Sequence, residues 1–80
     1  MTITVKLFAL LRDQAGVPEL KLEVPEGARV SDAAEHLKSK LKSPDALRSA
    51  AFAVNREYAS LTTVLQEGDE LAVIPPVSGG

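Results

Sequence analysis

Eighty residues with a net charge of −2 make one domain with a single modest core. The nine basic residues are dispersed among eleven acidic ones, which gives no footprint for nucleic acid or a membrane surface, and no apolar run approaches a membrane span. With no cysteine there can be no disulfide, thiolate nucleophile or cysteine-ligated metal.

Residues 2–8 alternate, with Ile3, Val5 and Leu7 on one face and Thr2, Thr4 and Lys6 on the other, the pattern of a half-buried strand. This start lacks the charged-then-apolar order of a secretory signal, so a cytoplasmic protein is expected. Phe8 breaks the alternation by placing an aromatic ring on the polar side. Residues 10–15 predict one or two helical turns, stopped by Gly16 and by Pro18 just beyond. Residues 19–24 alternate again with Leu20, Leu22 and Val24 inward, and Pro25-Glu26-Gly27 is a turn signal.

The clearest helix follows. Ser31 or Asp32 is expected to accept the free N–H groups at its start, and Val30, Ala33, Ala34, Leu37 and Leu41 form one apolar stripe. Glu35, His36, Lys38 and Lys40 make the wet face; the single histidine there reads as a solvated residue rather than a metal ligand. Ser43-Pro44-Asp45 predicts a second start, with a short helical stretch through Leu47. Ala51-Phe52-Ala53-Val54 predicts a buried strand, Asn55-Arg56 a turn, and the residues around Tyr58 another brief strand. Gln66-Glu67-Gly68-Asp69 requires positive φ at Gly68, and residues 70–74 form the last strand with Leu71 and Val73 inward. The order predicts an α+β domain over residues 1–76, a mixed sheet covered by one main helix, followed by an extended tail over 77–80.

Two parities point to a surface. Phe8 lies opposite Ile3, Val5 and Leu7, and Ile74 lies opposite Leu71 and Val73. If the first and last strands are neighbours, Phe8 and Ile74 share the face that ought to be polar, and Tyr58 can join them. Scattered apolar residues are ordinary on soluble proteins, but a contiguous apolar patch beside a projecting tail marks a docking surface.

The tail is Pro75-Pro76-Val77-Ser78-Gly79-Gly80. Proline has no N–H and fixed φ, so Pro75-Pro76 ends the sheet and favours an extended exit. From Pro76 to Gly80 the reach is roughly 17 Å, at about 3.3 Å per residue. A terminal Gly-Gly alone is compatible with a loose chain end. A stiff root followed by residues without side chains suits a probe that enters a narrow pocket and presents the Gly80 carboxylate there.

These residues resemble a known family. Val54-Asn55, Leu65-Gln66-Glu67-Gly68-Asp69-Glu70-Leu71 and Ile74-Pro75-Pro76-Val77-Ser78-Gly79-Gly80 are similar to the small subunits of molybdopterin synthase. Lys6-Leu7-Phe8-Ala9, Leu11-Arg12, Gly16 and Pro25-Glu26-Gly27 fit the same family's first half. The chain departs from it at Ser60-Leu61-Thr62-Thr63, where acidic residues are common. The resemblance implies a ubiquitin-like β-grasp fold and a sulfur carrier. It implies that an E1-like, ATP-dependent adenylyltransferase activates Gly80, beside Gly79, and that a sulfur donor protein converts it to a thiocarboxylate. The tail then enters the large subunit, where sulfur goes to cyclic pyranopterin monophosphate to form the dithiolene of the molybdenum cofactor. It places partner contacts on Phe8, Tyr58, Ile74, Pro75, Pro76, Val77 and Ser78, and implies a heterotetramer of two large and two small subunits. No cofactor is expected on this chain, which is not a catalyst alone. Related carriers serve tRNA thiolation, thiazole or cysteine synthesis, and others are joined to lysines as ubiquitin-like modifiers. A reading of a different class is an interaction module with an inert tail.

Overall fold

Strand β1 (Thr2–Leu7) lies inside the sheet because its alternation supplies one wholly apolar face, and Ile3, Val5 and Leu7 are buried. The computed structural model of the chain describes residues 1–76. The strand order is β2-β1-β5-β3-β4, where β2 is Glu19–Glu23, β3 Ala51–Val54, β4 Glu57–Ala59 and β5 Glu70–Ile74. β1 pairs antiparallel with β2 and parallel with β5, and β5 pairs antiparallel with β3. The first and last strands are therefore neighbours, with Val5 opposite Leu71 and Leu7 opposite Val73.

One face of the sheet packs on helix α2 (Val30–Lys38), which buries Val30, Ala33 and Leu37 against Ile3, Val5, Leu71 and Val73. Helix α1 (Ala9–Ala15) contributes Leu11, and Leu65 arrives from the segment before β5. This mixed sheet clasping one principal helix is the expected β-grasp arrangement. A short 3-10 helix at Pro44–Leu47 matches the predicted second start.

Two expectations about α2 need correction. The helix begins at Val30, with Arg29 as its extended N-cap, so Ser31 and Asp32 lie inside the first turn. Its free N–H groups are met by carbonyls of the 60–64 segment: Val30 N donates to Thr63 O at 2.9 Å and Ser31 N to Leu61 O at 3.0 Å. Asp32 works in the reverse direction, its Oδ2 accepting the Arg29 backbone N–H at 2.8 Å. The helix also stops at Lys38, and Leu41 reaches the core from the chain beyond it. The first helix starts at Ala9, one residue earlier than expected; Gly16 ends it in a left-handed conformation, φ 80°, donating to Arg12 O.

Candidate functional site

Among the described residues no helix packs on the opposite face of the sheet. β1 sends Thr4 and Lys6 to it, β5 sends Glu70, Ala72 and Ile74, β3 sends Ala53, and β4 sends Tyr58. Register brings these into rows. Tyr58 pairs with Ala53, Ala53 with Ala72, and Ala72 with Lys6, so one line of four residues crosses β4, β3, β5 and β1. The two central members are alanines, and the sheet is therefore lowest in its middle. Phe8 and Ile74, each one residue past the paired Leu7 and Val73, stand at one end of the depression, and Tyr58 stands along its side. The result is an open groove lined by Phe8, Ala53, Tyr58, Ala72 and Ile74, with Lys6, Arg56 and Glu70 as its charged members.

Sequence parity anticipated Phe8, Tyr58 and Ile74, and the structure brings all three into this one groove. Phe8 is 44% exposed and Tyr58 83%, so both rings are offered to solvent, whereas Ala53 is covered at 7%. The alanine floor and the three charged members escaped the sequence reading. Ala72 and Lys6 follow from the same alternation, but Ala53 joins them only once β3 is known to pair with β5.

The backbone at the two ends of the groove is unusual. Ala9, directly after Phe8, has φ 50°, which turns the chain from β1 into α1. At the β3–β4 hairpin both loop residues are left-handed, Asn55 at φ 51° and Arg56 at φ 73°. That is the geometry of a two-residue hairpin loop, whose twist matches the flanking strands. Asn55 is fixed there by three bonds: its N–H donates to Glu70 O at 2.8 Å, its Oδ1 accepts from Glu70 N at 3.0 Å, and its Nδ2 donates to Asp69 Oδ1 at 2.9 Å.

Across the groove floor, Lys6 Nζ lies 3.6 Å from Glu70 Oε2. β5 ends at Ile74 within the groove; Pro75 beyond it is half-buried and Pro76 exposed. The expected site residues Val77, Ser78, Gly79 and Gly80 lie outside the described residues. Among the described residues no cluster of histidine and carboxylate groups is arranged to hold a metal ion. Nor is any helix among them long and apolar enough to cross a membrane.

Known proteins resemble the chain along its whole length. The model of the ThiS family matches residues 5–80. The molybdopterin synthase sulfur carrier subunit of Arabidopsis thaliana is 42% identical over 98% of this chain and 82% of that protein. The protein of the same name from Chlamydomonas reinhardtii is 37% identical, and the match covers both chains fully. Among solved structures, small archaeal modifier protein 1 (SAMP1) from Haloferax volcanii superposes with a TM-score of 0.86 at 33% identity, covering both chains fully. A candidate molybdopterin converting factor subunit 1 from Pyrococcus furiosus gives 0.84 at 36%, over 96% of this chain and 99% of that one. A chain from the complex of subunits 1 and 2 of the Helicobacter pylori molybdopterin-converting factor gives 0.70 at 24% identity over both full chains, a likeness of fold.

Proposed function

The chain belongs to the ThiS family, and from that premise we propose that it is the sulfur carrier of molybdopterin synthase. The observation that supports this most directly is where the tail is rooted. β5 carries Ile74 into the apolar groove, and Pro75-Pro76 leave from that same end. A partner that covers the groove is thereby placed next to the point from which residues 77–80 depart.

The large subunit of the synthase is the partner this arrangement suits. Apolar burial over Phe8, Ile74 and Tyr58 supplies affinity without requiring chemistry from the groove. Pro75, Pro76, Val77 and Ser78 lead Gly79 and Gly80 into the partner, where the lack of side chains lets an acyl group pass a narrow channel. The assembly is a heterotetramer in the cytoplasm.

The chemistry belongs to the Gly80 carboxylate. A carboxylate resists nucleophiles because it is negatively charged and has no leaving group. In an E1-like enzyme its oxygen attacks the α-phosphorus of ATP, pyrophosphate departs, and a mixed anhydride with AMP results. The terminal sulfur of a donor protein's persulfide displaces AMP, and a thiol then attacks the resulting acyl disulfide, leaving the thiocarboxylate and a disulfide on the donor. In the large subunit that sulfur bonds to a side-chain carbon of cyclic pyranopterin monophosphate as a carbon–oxygen bond there breaks, the oxygen leaving as water or with the opened phosphate ester. Hydrolysis of the acyl link returns the carboxylate. A dithiolene holds two sulfur atoms, so each product consumes two loaded chains. Enclosure of the tail excludes water from the activated acyl group until transfer. ATP is a substrate of the activating enzyme, and this chain holds no cofactor.

The likeness to the archaeal modifier favours a second reading, in which a lysine amine attacks the activated carboxyl and forms an isopeptide bond. Reconstitution separates the two. The chain loaded with sulfur, mixed with the large subunit and cyclic pyranopterin monophosphate, is expected to give the dithiolene product. Failure to do so, with conjugates to lysines instead, supports the modifier.

A further inference from the structure

Resting on that reading of the groove as a docking face, we propose that Arg56 is its specificity-determining cation. It pairs with a carboxylate of the protein that covers the groove, the large subunit of the synthase. Among the described residues, three charged side chains line the depression. Lys6 and Glu70 answer one another at 3.6 Å, whereas Arg56 has no ion pair among the described residues. The described lining thus carries a net charge of +1, Lys6 and Arg56 against Glu70, on a chain whose total is −2.

The backbone makes this position informative. Arg56 holds φ 73° in a hairpin whose other loop residue, Asn55, is secured by its bonds to Asp69 and Glu70. A left-handed site favours glycine or asparagine, and the guanidinium makes no hydrogen bond or ion pair among the described residues that accounts for arginine there. The hairpin accounts for the left-handed backbone but not for a long cation at its exposed rim, and that choice points to use by a partner. When an apolar surface closes over the groove, an unpaired guanidinium loses hydration without return, and a facing carboxylate restores the balance with paired, charge-assisted hydrogen bonds. A second copy of this chain is a poor occupant, because it would bring a groove of the same net positive charge.

The test measures binding of the cognate large subunit to the full chain and to Arg56→Lys, Arg56→Gln, Arg56→Glu and Phe8→Ala, at low and high salt. All three Arg56 replacements keep a side chain at the same left-handed position, so thermal unfolding should change little. Arg56→Glu is expected to weaken binding on the order of tenfold, Arg56→Gln less, and Arg56→Lys least, with the salt dependence of Kd flattened in Arg56→Gln. Wild-type affinity and salt dependence for Arg56→Glu, alongside weakened Phe8→Ala, would overturn the role of Arg56 and leave the docking face standing. Wild-type affinity for both variants would remove the docking face as well. Self-association of the free chain, abolished by Tyr58→Glu, would assign the groove to a second copy and equally overturn the proposal.

Discussion

Asn55 and Asp69 hold two turns of the molecule together. The Asn55 carboxamide donates to Asp69 Oδ1 at 2.9 Å, while the other Asp69 oxygen accepts the Gln66 N–H at 2.8 Å. One carboxylate thus joins the β3–β4 hairpin to the turn that launches β5, and the strand carrying Ala72 and Ile74 is set in register with the strand carrying Ala53.

Replacing Asn55 with alanine removes both side-chain bonds and a residue that tolerates positive φ. We expect a loss of about 2 kcal/mol in denaturant unfolding. Asn55→Gly should lose less, because it relieves the backbone while forfeiting the same bonds. Equal losses for the two would show that the left-handed conformation carries no cost here.

At Arg56 the backbone and the side chain can be separated. Arg56→Gly removes the steric penalty of φ 73° but adds entropy to the unfolded chain, so its stability should stay within about 1 kcal/mol of the parent. Arg56→Val places a β-branched residue at a left-handed position and should be clearly less stable than the glycine variant. Thermal unfolding of the pair decides it; a valine variant as stable as the glycine variant would contradict the hairpin geometry.

Tyr58 is 83% exposed, so Tyr58→Ala should shift stability by no more than about 0.5 kcal/mol. Its binding to the large subunit should weaken by about tenfold, as for an aromatic side chain that a partner covers. Ile74→Ala should weaken binding too, with some loss of stability, since Ile74 is half-buried. Titration calorimetry beside thermal unfolding separates the two effects, and a fold lost in Tyr58→Ala would contradict the open-face placement.

The start of α2 offers a test within the fold. Asp32→Ala should cost about 1 kcal/mol through loss of the bond to the Arg29 N–H. Ser31→Ala should be nearly neutral, because Ser31 contributes its backbone N–H to Leu61 O. A larger loss at Ser31 than at Asp32, read by denaturant unfolding, would restore the side-chain cap that the sequence suggested.

That contrast shows where sequence reasoning reaches. β1 and β5 were legible because alternation fixes a face without knowledge of the neighbour, and the displaced Phe8 and Ile74 stood out against it. The entry to α2 was not, since its N–H groups are satisfied by carbonyls thirty residues away, and a backbone acceptor has no residue-type signature. Leu41 keeps the helical spacing, yet it reaches the core from beyond the helix, so spacing alone does not reveal the end at Lys38. The groove floor was hidden for a similar reason. Ala53 becomes part of the open face only through its pairing with Ala72 and Tyr58, which is a property of strand order. Arg56 read as turn punctuation until the hairpin set it at the rim.

The central claim is that Gly80 carries the sulfur, and the mass of the carboxyl-terminal peptide tests it most directly. After incubation of the chain with its activating enzyme, ATP and sulfide, that peptide should gain the difference between one sulfur and one oxygen, and Gly80→Ala should load or transfer poorly while folding normally. An unchanged peptide under conditions that still yield the dithiolene product, or full activity from a chain whose carboxyl terminus is blocked as an amide, would contradict the account.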